Sequence, residues 1–137
     1  MRNLSLSLAV CCAAILSFPA NAVENWTVTD LGSTRTESLC VDIAAESLLS
    51  FSHVFGARRI LKAQWTVYGY GLNRSKHDAV ITCTFATANA TRATLVVYSE
   101  DEIQGGLVSN RLAQIFYETN DRLERKWLAE AYERFGF

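Results

Sequence analysis

Four cysteines, two histidines and one acidic run are the side chains of this chain whose types lend themselves to chemistry. Cys11 and Cys12 adjoin inside an apolar N-terminal run, whereas Cys40 and Cys83 stand far apart beyond it. A redox pair works through a low-pKa thiolate near a helix start, commonly in a C-x-x-C spacing, and zinc sites gather ligands at short intervals. Neither spacing is present. What Cys40 and Cys83 can form is a structural disulfide, in an oxidising compartment. The histidines, His53 and His77, have no H-x-x-x-H or H-E-x-x-H partner. His53 falls in a helical column with Asp42, Glu46 and Leu49, and Glu46 is two turns away, about 10 Å along the axis. That column reads as a solvated helix face. His77-Asp78 opens a strand after a polar loop and reads as an exposed loop residue. The acidic run Glu100-Asp101-Glu102 lacks the ligand spacing of a calcium loop and reads as negative charge set against a helix N-terminus.

No nucleophile elbow and no glycine-rich phosphate loop occurs, so no catalytic, cofactor or metal residue is assigned. A pair of carboxylates brought together in space leaves a hydrolase as an alternative. Nucleic acid is disfavoured as a partner. The net charge is −1, and the basic clusters Arg58-Arg59-Lys62 and Arg125-Lys126 are not interleaved with aromatics.

The N-terminus sets the compartment. Met1-Arg2 precedes an apolar run from Leu4 to Phe18, followed by Pro19 and the small-x-small triplet Ala20-Asn21-Ala22. This pattern predicts a cleaved signal peptide over residues 1–22, a single domain over 23–137, and a periplasmic or secreted location. The run is shorter than the roughly 20 residues a bilayer span needs, and no transmembrane span is expected after cleavage. Val10 before Cys11 is too large for a lipidation site, which leaves Cys11 and Cys12 as bystanders. Asn25, Asn73 and Asn89 head Asn-x-Ser/Thr triplets, which are glycan acceptors in a eukaryote and silent in most bacteria. The leader suits either source.

Periodicity supplies the elements that must position these residues. Trp26 to Leu31 alternates as a first strand. Thr34 and Glu37 fit a capping box ahead of a helix whose stripe is Cys40, Ile43, Ala44, Ser47, Leu48, Phe51, Val54 and Phe55, with Gly56 as its stop. Residues 60–70 alternate as one strand, and two further alternations, Ala79 to Phe85 and Ala93 to Tyr98, form a hairpin. In the last third, Ser99 and Glu102 cap a first turn and Gly105-Gly106 break it. A helix then runs from about Ser109 to Phe135, burying Val108, Leu112, Ile115, Phe116, Thr119, Leu123 and Trp127. Glu118–Arg122, Asp121–Arg125 and Glu130–Arg134 are acid-before-base pairs at i,i+4 on its outer face. Such a helix overhangs a sheet whose strands span only about 20 to 30 Å, so its C-terminal end is expected to pack on another chain.

The order β-α-β-β-β-α predicts an α+β two-layer sandwich, with helices on one face of a mainly antiparallel sheet. Cys40 and Cys83 both point into that interface, where a bridge closing a loop of about 40 residues contributes roughly 3 to 4 kcal/mol. Strand parity turns Leu61, Trp65, Ile81, Cys83, Leu95 and Val97 to the core. It leaves Gln64, Thr66, Tyr68, Tyr70, Thr82, Thr84, Val96 and Tyr98 on the uncovered side. Of these, Tyr68, Tyr70, Thr82, Thr84 and Tyr98 form the candidate binding face. The expectation is a small, exported, non-catalytic binding or accessory protein with a protein or other envelope partner. The alternatives are a small secreted hydrolase with a carboxylate site and a structural homo-oligomer assembled through the C-terminal helix.

Overall fold

A computed structural model describes residues 25–136, so the leader expected over residues 1–22, its expected cleavage site and Cys11 and Cys12 lie outside the described residues. The chain runs β1 (Asn25–Thr34), α1 (Glu37–Phe55), β2 (Arg59–Lys62), β3 (Thr66–Gly71), α2 (Leu72–Ser75), β4 (His77–Thr87), β5 (Ala90–Ser99) and α3 (Glu102–Phe135). The strands form one antiparallel sheet in the order β1-β5-β4-β3-β2. Both long helices pack on one face, α1 over the β2–β4 side and α3 over β1 and β5. This is the α+β sandwich that periodicity predicts, with one strand more. Residues 60–70 are a hairpin instead of a single strand: the chain turns at 63–65, closed by Ala63 N–H donating to the Thr66 carbonyl at 2.8 Å.

That turn reverses the parity before it. Leu61 lies opposite Tyr68, on the open face and not in the core, and Ile60 takes the inward position instead. Trp65 sits in the turn, 48% exposed, with its ring edge-on to Phe85 at 6.3 Å. Val67, Ile81, Cys83, Leu95 and Val97 do face the helices and are fully or almost fully buried.

Helix α1 is capped two residues later than the capping box implies. Thr36 Oγ1 accepts the Leu39 N–H at 3.1 Å, while Thr34, itself buried, donates to the Thr36 carbonyl. Among the described residues α1 is the helix long and apolar enough to cross a membrane by length and composition. Here that apolarity serves the core, through Cys40, Val41, Ile43, Ala44, Leu48 and Phe51. The stripe gives out in the last turn, where Val54 is 70% exposed. Cys40 and Cys83 are joined across the interface with their Cα atoms 6.1 Å apart.

Helix α3 starts earlier than expected and is unbroken at Gly105-Gly106. Asp101 is its N-cap, accepting the Gln104 N–H at 3.0 Å, so one carboxylate of the acidic run satisfies a helix-start donor. Gly105 is buried where the helix crosses the sheet: a Cβ there would lie 2.8 Å from Ser99 Cβ. One turn later Ser109 Oγ meets Thr29 Oγ1 at 2.8 Å. At 1.5 Å per residue, 34 residues extend about 51 Å, and the helix leaves the core after Leu123. Trp127 is therefore not a core residue. It is 47% exposed, with the Arg35 guanidinium 4.7 Å above its ring and Arg35 Nε 3.6 Å from Glu124. Removing it forfeits a cation–π contact, not a packed interior. The expected i,i+4 pairs are not among the described ion pairs: Arg122 reaches across to Glu46 of α1, and the observed spacing-four pair is Lys126–Glu130.

Candidate functional site

The uncovered face of the sheet is built in rows, because directly opposed residues of antiparallel strands share a face. One row crosses all five strands as Val28, Val96, Val80, Tyr68 and Leu61, each opposite the next. On one side of it stand Trp26, Tyr98 and Asp78 in register, with Tyr70 opposite Arg59. On the other side Asp30, Thr94, Thr82 and Thr66 form a hydroxyl-rich row. Thr84 and Arg92 follow, Arg92 reaching back to pair with Asp30. The face thus grades from aromatic through aliphatic to polar.

All five residues of the expected face, Tyr68, Tyr70, Thr82, Thr84 and Tyr98, lie on this side of the sheet. Gln64 is in the turn and outside the rows. Trp26 was not assigned to the face by sequence, yet it is 58% exposed and its ring lies 5.0 Å from Tyr98. Its alternation in β1 is legible, but the face it takes depends on pairing with β5, about seventy residues away. Tyr68 and Tyr70 hold their rings 6.0 Å apart and within 7° of parallel. Together with Asp78, Val80 and Val96 these four aromatic rings line a shallow depression of about 400 Å³. Its one carboxylate, Asp78, accepts the Gly71 N–H at 2.8 Å and so also anchors the turn into α2.

The edge of β1 is blunted beside this face. A bulge at Leu31-Gly32, with Gly32 at φ +81°, turns the strand, and Asp30 Oδ1 accepts the Gly32 N–H. The Arg92 guanidinium and that N–H hold the Asp30 carboxyl below the usual carboxylate range. Tyr117 of α3 donates to the Asp30 carbonyl at 3.2 Å. The Gly32 N–H and the Asp30 carbonyl are thereby engaged within the chain and are not open to another strand.

His77 is the largest departure from the sequence reading. It is 3% exposed, not a solvated loop residue, because the start of α3 and the end of α1 close over the first position of β4. Its Nδ1 lies 2.9 Å from Ser99 Oγ, which lies 2.7 Å from the Asp101 carbonyl and 3.0 Å from the Asp101 N–H. A serine hydroxyl has one hydrogen, and the carbonyl can only accept, so that hydrogen goes to Asp101 and Nδ1 must carry the proton it shares with Ser99. In the neutral ring Nε2 is then a bare acceptor, buried and without a partner. Burial, reinforced by Lys76, lowers the His77 pKa, and Asp101 and Asp78 oppose that shift.

The pH dependence follows. The unfolded chain takes up a proton near pH 6.5 that folded His77 resists, so the stabilisation is complete above that value and is lost as pH falls toward the lower folded value. The melting temperature of the wild type is expected to fall on acidification through this window. His77→Asn, whose amide can still donate to Ser99, should flatten that part of the profile. Parallel profiles would show that His77 does not contribute.

His53 is exposed on α1, and its column is occupied by ion pairs, Asp42 with Lys62 and Glu46 with Arg122. Among the described residues no group of three His, Cys, Asp or Glu side chains is placed to hold a metal ion. Asn73 is half-buried in α2, while Asn25 and Asn89 lie at the start of β1 and in the β4–β5 turn. Compared with known proteins, the chain matches no family model, no curated protein and no solved structure.

Proposed function

We propose that this protein is an exported recognition module that binds a protein partner through its uncovered sheet face. The observation that carries the reading is the continuous row Val28, Val96, Val80, Tyr68 and Leu61, flanked by Trp26, Tyr98 and Tyr70. Tyr and Trp offer rigid amphipathic area at low entropic cost, and such residues are enriched in the centres of protein interfaces. The charges on the face, Asp30 and Asp78 against Arg92 and Arg59, balance in sign, which suits an apolar protein surface better than a polyanion. A domain over 23–137, freed of its leader and closed by a disulfide, fits an oxidising envelope or extracellular compartment.

Placing arginines at Tyr68 and Thr82 tests the reading. Both positions face outward, so Tyr68→Arg with Thr82→Arg should keep the fold, seen as an unchanged unfolding midpoint and a mass two hydrogens below the reduced form. Capture of the wild-type partner from envelope extract should fall at least tenfold, since two buried charges would meet an apolar surface. A variant that keeps the same partner at the same affinity, or a wild type that captures none, would overturn the proposal.

A further inference from the structure

A second concavity lies away from the sheet face, where the end of α1, the α2 turn, the start of β4 and the first turn of α3 converge. It has a volume of about 240 Å³, and Val54 and Phe55 form one apolar wall. The remaining lining is polar: Asn73, Arg74, Lys76, His77 and Gln104. Three observations set it apart. Arg74 and Lys76 line it together, and neither has an acidic partner within 4 Å among the described residues. Asn73 and Arg74 both hold left-handed backbone, φ +48° and +65°, which side-chain-bearing residues adopt only at a cost, and such strain collects where a loop must present particular groups. His77, in the wall, carries a buried ring nitrogen with no partner.

We propose that this cavity holds a small oxyanion, a carboxylate or a phosphate-type group, between the Arg74 and Lys76 side chains and the Nε2 edge of His77. An anion satisfies all three at once. It pairs the two unpartnered cations, and it gives Nε2–H an acceptor once the imidazole is protonated. Gln104 and Arg74 line the same cavity as exposed residues, so their side chains have room to rearrange around a bound group beside the ring. The groups facing His77 set the sign of the proton linkage. Burial and Lys76 disfavour imidazolium, Asp101 and Asp78 favour it, and α1 brings only Val54 and Phe55 to the cavity. A bound anion reverses the balance set by the cations, so binding takes up a proton.

Calorimetric titration of the full protein with sulfate and with propionate tests the proposal. Sulfate keeps its charge over the range used, and propionate adds a short tail suited to the Val54 and Phe55 wall. At least one probe should bind saturably, and severalfold more tightly near pH 5.5 than near pH 8, because the bound anion favours the protonated imidazole. Binding of sulfate alone identifies a phosphate-type site, and of propionate alone a carboxylate site. Arg74→Gly should abolish binding without lowering the melting temperature, because glycine adopts that backbone freely. Lys76→Gln, at an exposed position of ordinary φ, should weaken it severalfold. No saturable binding by either probe, equal affinity at both pH values, or unchanged affinity in Arg74→Gly would overturn the proposal.

Discussion

Replacing Cys40 and Cys83 together with Ala is expected to cost about 3 to 4 kcal/mol of stability, read from urea unfolding. The magnitude follows from the sequence separation of 43 between the bridged residues, whose closed loop takes in most of α1, β2, β3 and half of β4. Without the bridge the unfolded chain gains the entropy of opening that loop and becomes less compact, so the slope of stability against urea should rise as the midpoint falls. Both side chains sit at the contact of α1 with β4 and are essentially inaccessible, so some packing is lost in addition. Reductant supplies the internal control. It should lower the midpoint of the wild type toward that of the double variant and leave the variant unmoved. Coincident unfolding curves for oxidised and reduced wild type would show that the bridge does not stabilise the fold. A loss of this size is a large share of the stability of a small domain.

The residues of this bridge were legible because two independent periods place them. Cys40 lies on the 3.6-residue stripe of α1, and Cys83 shares the parity of Ile81 in β4. The same parity brought Tyr68, Tyr70, Thr82, Thr84 and Tyr98 to one face, since β3, β4 and β5 pair without a shift over that stretch. Parity failed where the chain turns without turn residues. The segment Ala63-Gln64-Trp65 has no Gly, Pro, Asn or Asp, so the alternation reads through it and assigns Leu61 and Trp65 to the wrong side. His77 and Trp127 failed for another reason. One is buried and the other exposed by elements distant in sequence, and a local pattern carries no record of how far a helix extends beyond its sheet.

The neighbouring glycines of α3 should respond in opposite directions to the same substitution. In a helix interior Gly→Ala ordinarily stabilises by about 0.5 to 1 kcal/mol, by restricting the unfolded chain and improving helix propensity. Gly106 has open space where its Cβ would be, so Gly106→Ala should yield that gain. Gly105 is different. Its added Cβ would stand 2.8 Å from Ser99 Cβ, an atom fixed to the β5 backbone and unable to rotate aside. Helix and strand would have to separate, and overpacking of this kind costs about 1 to 3 kcal/mol, more than propensity returns. The displacement also reaches Ser99 Oγ, the partner of His77 Nδ1 and of both backbone groups of Asp101. Gly105→Ala should therefore lower the melting temperature and change the His77 ring resonances by nuclear magnetic resonance, while Gly106→Ala raises the former and leaves the latter unchanged. If both variants are equally stabilised, the close crossing of α3 on β5 does not govern how this helix is seated. In that event the glycine at 105 has no steric reason to be there.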